Sequence, residues 1–185
     1  MNKFLKRIKL IDHFTIELHI QKREFVDQLK KQVDEAEIGI ISDLFDVFSS
    51  HRNEYKGKVD SDGFKIKKPR NFFDMTVVKA TAIGTYEQKS DRLIIHTEIN
   101  GFQGIMIPFY LFALVFYSIA LVAIPFVSDM NGNTMPHFFV IPFILLHAAF
   151  MLGIPYLMMR RSTKRLKYDL EREFYYLTKK WFFTG

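Results

Sequence analysis

Two stretches decide how this chain folds: Gly104–Val127, GIMIPFYLFALVFYSIALVAIPFV, and Phe138–Met159, FFVIPFILLHAAFMLGIPYLMM. The first carries no charge, and the only ionisable side chains in the second are those of His147 and Tyr156. A helix crossing a ~30 Å hydrocarbon layer needs about 20 apolar residues, so each stretch is long enough. Backbone N–H and C=O groups cannot stay unpaired in lipid, which makes both stretches helices if they span. The sequence therefore predicts a transmembrane α-helical hairpin over residues 104–159, with spans at 104–127 and 138–159.

Outside the hairpin about 130 residues remain, enough for one ordinary water-soluble domain. The mean hydropathy of +0.01 averages a very apolar population with a heavily charged one. A formal net charge of +6 suits a lipid bilayer with anionic headgroups better than nucleic acid. The chain has no cysteine, which excludes disulfides, thiolate metal sites and thiol nucleophiles. The N-terminal MNKFLKRIKLID lacks the apolar core of a secretory signal.

Orientation is read from the cations. The segment Ser128–His137 between the spans has no Lys or Arg, whereas Arg160, Arg161, Lys164, Arg165 and Lys167 follow the second span at once. The positive-inside rule then places both termini of a two-pass protein in the cytoplasm and the ten-residue loop outside. The same five cations form a membrane-surface basic cluster, read first as a topology signal.

Residues 1–103 form the bulk of the soluble part. Lys3, Lys6, Arg7 and Lys9 alternate with Phe4, Leu5, Ile8 and Ile11, either a basic amphipathic stretch on the leaflet or a charged lead-in to the first strand. Phe14, Ile16, Leu18 and Ile20 alternate with polar residues, the period of a half-buried strand. From Gln21 to Glu37 the period changes, with Phe25, Leu29, Val33 and Ala36 at helical spacing. Ile38–Phe48 fits a short helix or a strand. Tyr55–Val59 and Phe64–Lys68 flank Asp60-Ser61-Asp62-Gly63, the composition of a hairpin turn. Phe72–Tyr86 reads as a long strand in which Gly84 marks a bulge or bend. Gln88–Asp91 is turn-like, and Leu93–Ile99 alternates again.

In residues 160–185, Leu166, Leu170, Phe174, Leu177 and Trp181 form an apolar stripe at helical spacing on a basic amphipathic helix. The economical arrangement packs that helix back onto the sheet. The fold class expected is therefore α+β: an antiparallel sheet with flanking helices, comparable to a helix-grip arrangement and interrupted by the membrane hairpin.

The pattern Tyr55-Lys-Gly57-Lys-Val59, then Phe64-Lys65-Ile66 and Arg70-Asn71-Phe72-Phe73, resembles small two-span membrane proteins of Bacteroidota. They share an aromatic-x-G-x-V…FKI…RN-x-F pattern, an apolar hairpin and a C-terminal amphipathic helix. The chain departs from that pattern at Asp74-Met75, where Leu-Pro usually follows. The resemblance implies architecture over residues 12–180 and transfers no active site.

Candidate chemistry is sparse. The six histidines, His13, His19, His51, His96, His137 and His147, show no metal-binding spacing, and there is no phosphate loop or nucleophile elbow. His19 and His96 read as solvated strand positions. Asp34, Glu35 and Glu37, like Asp43 and Asp46, read as charges on a helix face. No catalytic residue, metal or cofactor is expected, and the chain is not read as an enzyme. Within the spans His147 is the polar residue that needs an account. Its depth matches that of Ser118, so a neutral imidazole is expected to bond Ser118 or the adjacent Tyr117. Ala149 and Gly153 offer a small-residue face for helix packing. Pro142 and Pro155 are expected to kink the second span.

Two roles follow from these features. One is a membrane-held α+β binding module working through a protein partner or small ligand, as an accessory subunit of a membrane complex. The other is an effector whose soluble domain senses a ligand and whose homo-oligomerised hairpins permeabilise the membrane.

Overall fold

The computed structural model describes residues 2–39, 53–69, 79–131 and 137–182. It is an α+β protein that divides into two compact units, Met1–Phe102 with Met159–Gly185, and Gln103–Met158.

The first unit opens with α1 (Asn2–Arg7). This helix closes as Lys9 adopts a left-handed φ of 59°, with Leu10 N–H donating to Leu5 O (2.9 Å) and Lys9 N–H to Lys6 O (3.0 Å). Those two bonds are a Schellman closure, and the side chains of Leu5 and Leu10 are both buried. The basic N-terminal stretch is thus a helical lead-in to β1 (Ile11–Leu18), whose alternation buries Phe14 and Leu18.

Next come α2 (Lys22–Lys31), β2 (Val33–Glu35), β3 (Tyr55–Val59), β4 (Gly63–Lys67), β5 (Thr81–Lys89) and β6 (Arg92–Asn100). They form one six-stranded sheet in the order β1-β6-β5-β4-β3-β2. All neighbours are antiparallel except β2 and β3, which run parallel.

The sheet is therefore mixed, not purely antiparallel, and the reason lies in α2. The apolar spacing Phe25, Leu29, Val33 continues a helical stripe, but the helix stops after Lys31 and Val33 is buried as a strand residue. Val33 serves either period, so spacing alone could not mark the change. Asp34 and Glu35 consequently sit on a strand and not on a helix face. The Asp34 carboxylate accepts from Asn53 N–H (3.1 Å) and Asn53 Nδ2 (2.9 Å), tying β2 to the approach of β3. Most of Ile38–Phe48, with Asp43 and Asp46, lies outside the described residues.

β5 begins at Thr81, and residues 72–78 of the expected long strand lie outside the described residues. Gly84 marks no bulge: its pairing with Phe64 and Thr97 is regular, and a Cβ there would meet the Phe64 ring. The β5–β6 turn is tight, Lys89 pairing with Arg92 around Ser90 at φ 49°.

One face of this sheet carries the core. Phe14, Phe64, Ile66, Leu93, Ile95 and Ile99 are covered by Phe25 and Leu29 of α2. Leu166, Leu170, Phe174 and Leu177 complete the same cluster. Phe174 is its hub, with ring centroids 5.3 Å from Phe25 and 5.7 Å from Phe64. Met159 and the residues after it belong to α4 (His137–Phe182), one 46-residue helix that continues through Pro142 and Pro155. The stripe thus does not sit on a separate helix beginning near residue 160.

The second unit is the pair of apolar helices, α3 (Met106–Asn131) and the first part of α4. Both contain stretches long and apolar enough to cross a membrane. α3 ends at Asn131, four residues beyond the expected span boundary.

Candidate functional site

In the second unit the seam of α3 repeats at spacings of three and four: Tyr110, Ala113, Tyr117 and Ala120 are among its more buried positions, with exposed residues between them. That is the rhythm of a helix packed along one partner. Tyr110 Oη donates to Leu152 O at 3.3 Å. Tyr117 Oη lies 2.7 Å from His147 Nδ1, with the rings edge to face at 5.9 Å. A neutral imidazole with its proton on Nε2 accepts from the phenol at Nδ1.

Of the two expected partners of His147, the structure selects Tyr117. Ser118 is turned about 100° off the seam and donates instead to Leu114 O of its own helix at 2.8 Å. The small-residue face of Ala149 and Gly153 stays open within one chain: Ala149 is exposed, and a Cβ built on Gly153 would meet nothing within 4 Å beyond its own stretch of helix. Large residues on α3 alternate with Ala113 and Ala120, so the small residues of this seam are those of α3.

Tyr117→Phe should lower hairpin stability by about 0.6–2 kcal/mol, the range for a hydrogen bond between apolar helices. Ser118→Ala should change it by about 0.5 kcal/mol or less. Thermal unfolding of the full-length protein in detergent compares the two.

The basic residues divide into two sets. Arg160, Arg161, Lys164 and Arg165 are exposed and form no ion pair among the described residues. Lys167 leaves the cluster: its Nζ sits 3.1 Å from Asp12 Oδ2 and 3.5 Å from His13 O, clipping α4 to β1. Helix rotation turns position 167 toward the sheet, whereas 164 and 165 face outward.

The second face of the sheet is polar. His13 Nε2 meets Glu98 Oε2 at 2.9 Å, Thr15 Oγ1 meets His96 Nδ1 at 3.0 Å, and Arg92 lies 3.5 Å from Glu17. His96 also approaches Glu87 at 3.6 Å. The hydrogen bond and charge of Lys89 hold the Glu87 carboxyl below its usual range, with His96 adding to the effect. His19 stays exposed beside Asp91 at 3.8 Å. Pairs across strands of this kind set sheet register. Among the described residues no three His, Asp or Glu side chains are grouped to hold a metal ion.

One cluster was not anticipated. Lys68 Nζ bonds Asp169 Oδ2 at 2.7 Å, with the Asp169 side chain only 10% exposed. The same ammonium lies 5.6 Å over the Tyr55 ring, and Arg172 approaches Asp169 at 3.9 Å. Burial first, then the charges of Asp169 and Glu173, push the Tyr55 phenol far above its usual range, so it stays protonated. The available signal was an aspartate three residues after Leu166 and one before Leu170, on the buried side of an amphipathic helix. Such a carboxylate demands a cation, and only the fold shows that Lys68 supplies it.

These groups hold charges in pairs and lock helix to sheet. Comparison of the chain with protein-family models, curated proteins and solved structures finds no match.

Proposed function

We propose that this chain is a two-pass integral protein of a bacterial inner membrane whose α+β unit is a cytoplasmic binding module. It works through a partner protein or a small ligand, as an accessory subunit of a membrane complex and not as an enzyme. The observation that carries this reading is the exposure of the hairpin: Phe112 is 72%, Phe143 70% and Val122 65% exposed. So much contiguous apolar surface is not tolerated in water, and lipid is its natural solvent. Arg160, Arg161, Lys164 and Arg165, exposed and without an ion pair among the described residues, support a cytoplasmic position for the residues that follow, each cation contributing about 1 kcal/mol at an anionic surface.

Within this reading the soluble unit is helix-grip-like, a sheet held by the second half of α4. The whole belongs with the small two-span membrane proteins of Bacteroidota that it resembles. The open position at Gly153 favours a second reading, in which hairpins associate and permeabilise the membrane in response to a ligand sensed by the α+β unit.

The cysteine-free chain makes a direct test simple. Asn133→Cys should react with an impermeant maleimide in intact spheroplasts, and Tyr176→Cys only after lysis. Release of the protein from membranes by alkaline carbonate would overturn the reading. Toxicity that is lost when Gly153 is replaced by Phe, with folding intact, would favour the permeabilising role over the subunit role.

A further inference from the structure

The sheet has two edges, and they differ. β2 is three residues long, whereas β1 runs for eight residues in unbroken register with β6. Gly101 N–H donates to Leu10 O at 2.8 Å, which identifies Leu10–Gly101 as a hydrogen-bonded pair of this ladder. Because such pairs alternate, Asp12, Phe14, Ile16 and Leu18 bond β6, while Ile11, His13, Thr15 and Glu17 point their N–H and C=O groups outward.

Proteins commonly blunt such an edge with proline, lysine or a bulge. The strand IDHFTIEL contains no proline or lysine and no bulge. Besides the charges of Asp12 and Glu17, the local device among the described residues is the clip at His13, whose N–H donates to Asp12 Oδ1 (2.8 Å) and whose carbonyl accepts from Lys167 at 3.5 Å. The outward groups of Thr15 and Glu17 have no partner among the described residues.

We propose that β1 is a dimerisation edge, pairing antiparallel with β1 of a second copy about a twofold axis at Thr15. The strand's own sequence favours this occupant. Antiparallel pairing centred on Thr15 sets His13 opposite Glu17 of the second copy, and Glu17 opposite its His13. On the polar face it extends the existing contacts into an alternating row: Glu98, His13, then Glu17 and Arg92 of the second copy. On the other face Phe14 meets Ile16, which the monomer leaves only partly buried. Aromatic–β-branched pairs, Thr–Thr pairs and polar pairs of complementary character are favourable cross-strand neighbours, and this register makes one of each, Phe14–Ile16, Thr15–Thr15 and His13–Glu17, the last an ion pair whenever the imidazole is protonated. Pairing exchanges the single bond from His13 N–H to Asp12 for two bonds at Thr15 and two at each flanking pair. The long Lys167 contact can persist, because a carbonyl has two lone pairs. The contact is isologous and closes, giving one sheet continuous through two copies.

The test uses the full-length chain in mild detergent. Light scattering should give a dimer mass, and Thr15→Pro, which removes an outward N–H and the Thr15–His96 side-chain bond but no bond of the β1–β6 ladder, should return a monomer. Paired strands place the two position-15 Cα atoms about 5.5 Å apart, within disulfide range. Thr15→Cys should therefore oxidise to a covalent dimer, while Thr85→Cys in the middle of the sheet should not. A monomeric wild type would overturn the proposal. So would a dimer that survives Thr15→Pro and fails to cross-link at position 15, since its interface would then lie elsewhere. Should Thr15→Pro not fold, the comparison of the two cysteine variants still decides.

Discussion

Phe174→Ala should cost the α+β unit about 3–5 kcal/mol, the range for emptying a large aromatic site in a packed core. The ring is fully buried and meets Phe25, Phe64 and Phe14, the last at a centroid distance of 6.3 Å. Those partners come from β1, α2 and β4, elements far apart in sequence, so none can collapse into the void without moving its own strand or helix. Tyr176, two residues on, is 55% exposed. Tyr176→Ala should change stability by about 0.5 kcal/mol or less. Denaturant midpoints of the full-length variants give both numbers. Equal effects at the two positions would mean that α4 does not grip the sheet through Phe174.

Gly57→Ala should be as damaging, by about 3 kcal/mol or more, through a different mechanism. Gly57 holds φ at 146°, a conformation that residues with a Cβ rarely adopt, and a Cβ there would run into the backbone of Lys65 and Ile66. The strand on its other side depends on the same residue, since Ala36 N–H donates to Gly57 O at 3.1 Å and Glu35 pairs with it. Either β3 parts from β4 or its backbone takes up the strain, and β2 is lost in both cases. Hydrogen exchange should show the amides of Ala36 and Lys65, which face β3, deprotected early, before the β1–β6 ladder. Unchanged protection at Ala36 would rule this account out.

Gly57 also shows how far the short pattern Tyr55-x-Gly57-x-Val59…Phe64-Lys-Ile66 could be read. Tyr55, Val59, Phe64 and Ile66 are all buried in the core, and the glycine between them answers a backbone need. These four residues of the pattern therefore serve the core. The hydrogen bond of His147 was equally legible in part. Depth along the helices narrowed its partner to Ser118 or Tyr117, but choosing between adjacent residues requires the rotation of α3, which depends on how its tyrosines and alanines pack.

What the sequence determined by itself are the features that repeat with a period. These are the two apolar stretches of spanning length, the alternation of β1 and β6, and the stripe Leu166, Leu170, Phe174, Leu177. Each is a local consequence of which side chains must leave water, and the period reports it without knowledge of the rest of the chain. Only the tertiary structure decided where one period yields to another. Val33 satisfies the helical spacing, yet it pairs with Tyr55 in a parallel strand because β3 presents an edge there. It also decided which partner each polar group takes. Lys167 looks like an ordinary surface charge and Asp169 like a carboxylate in want of a cation, and they become clips to Asp12 and Lys68 because α4 lies across the sheet. Those pairings join residues more than a hundred positions apart, a distance over which no local pattern in the chain carries information.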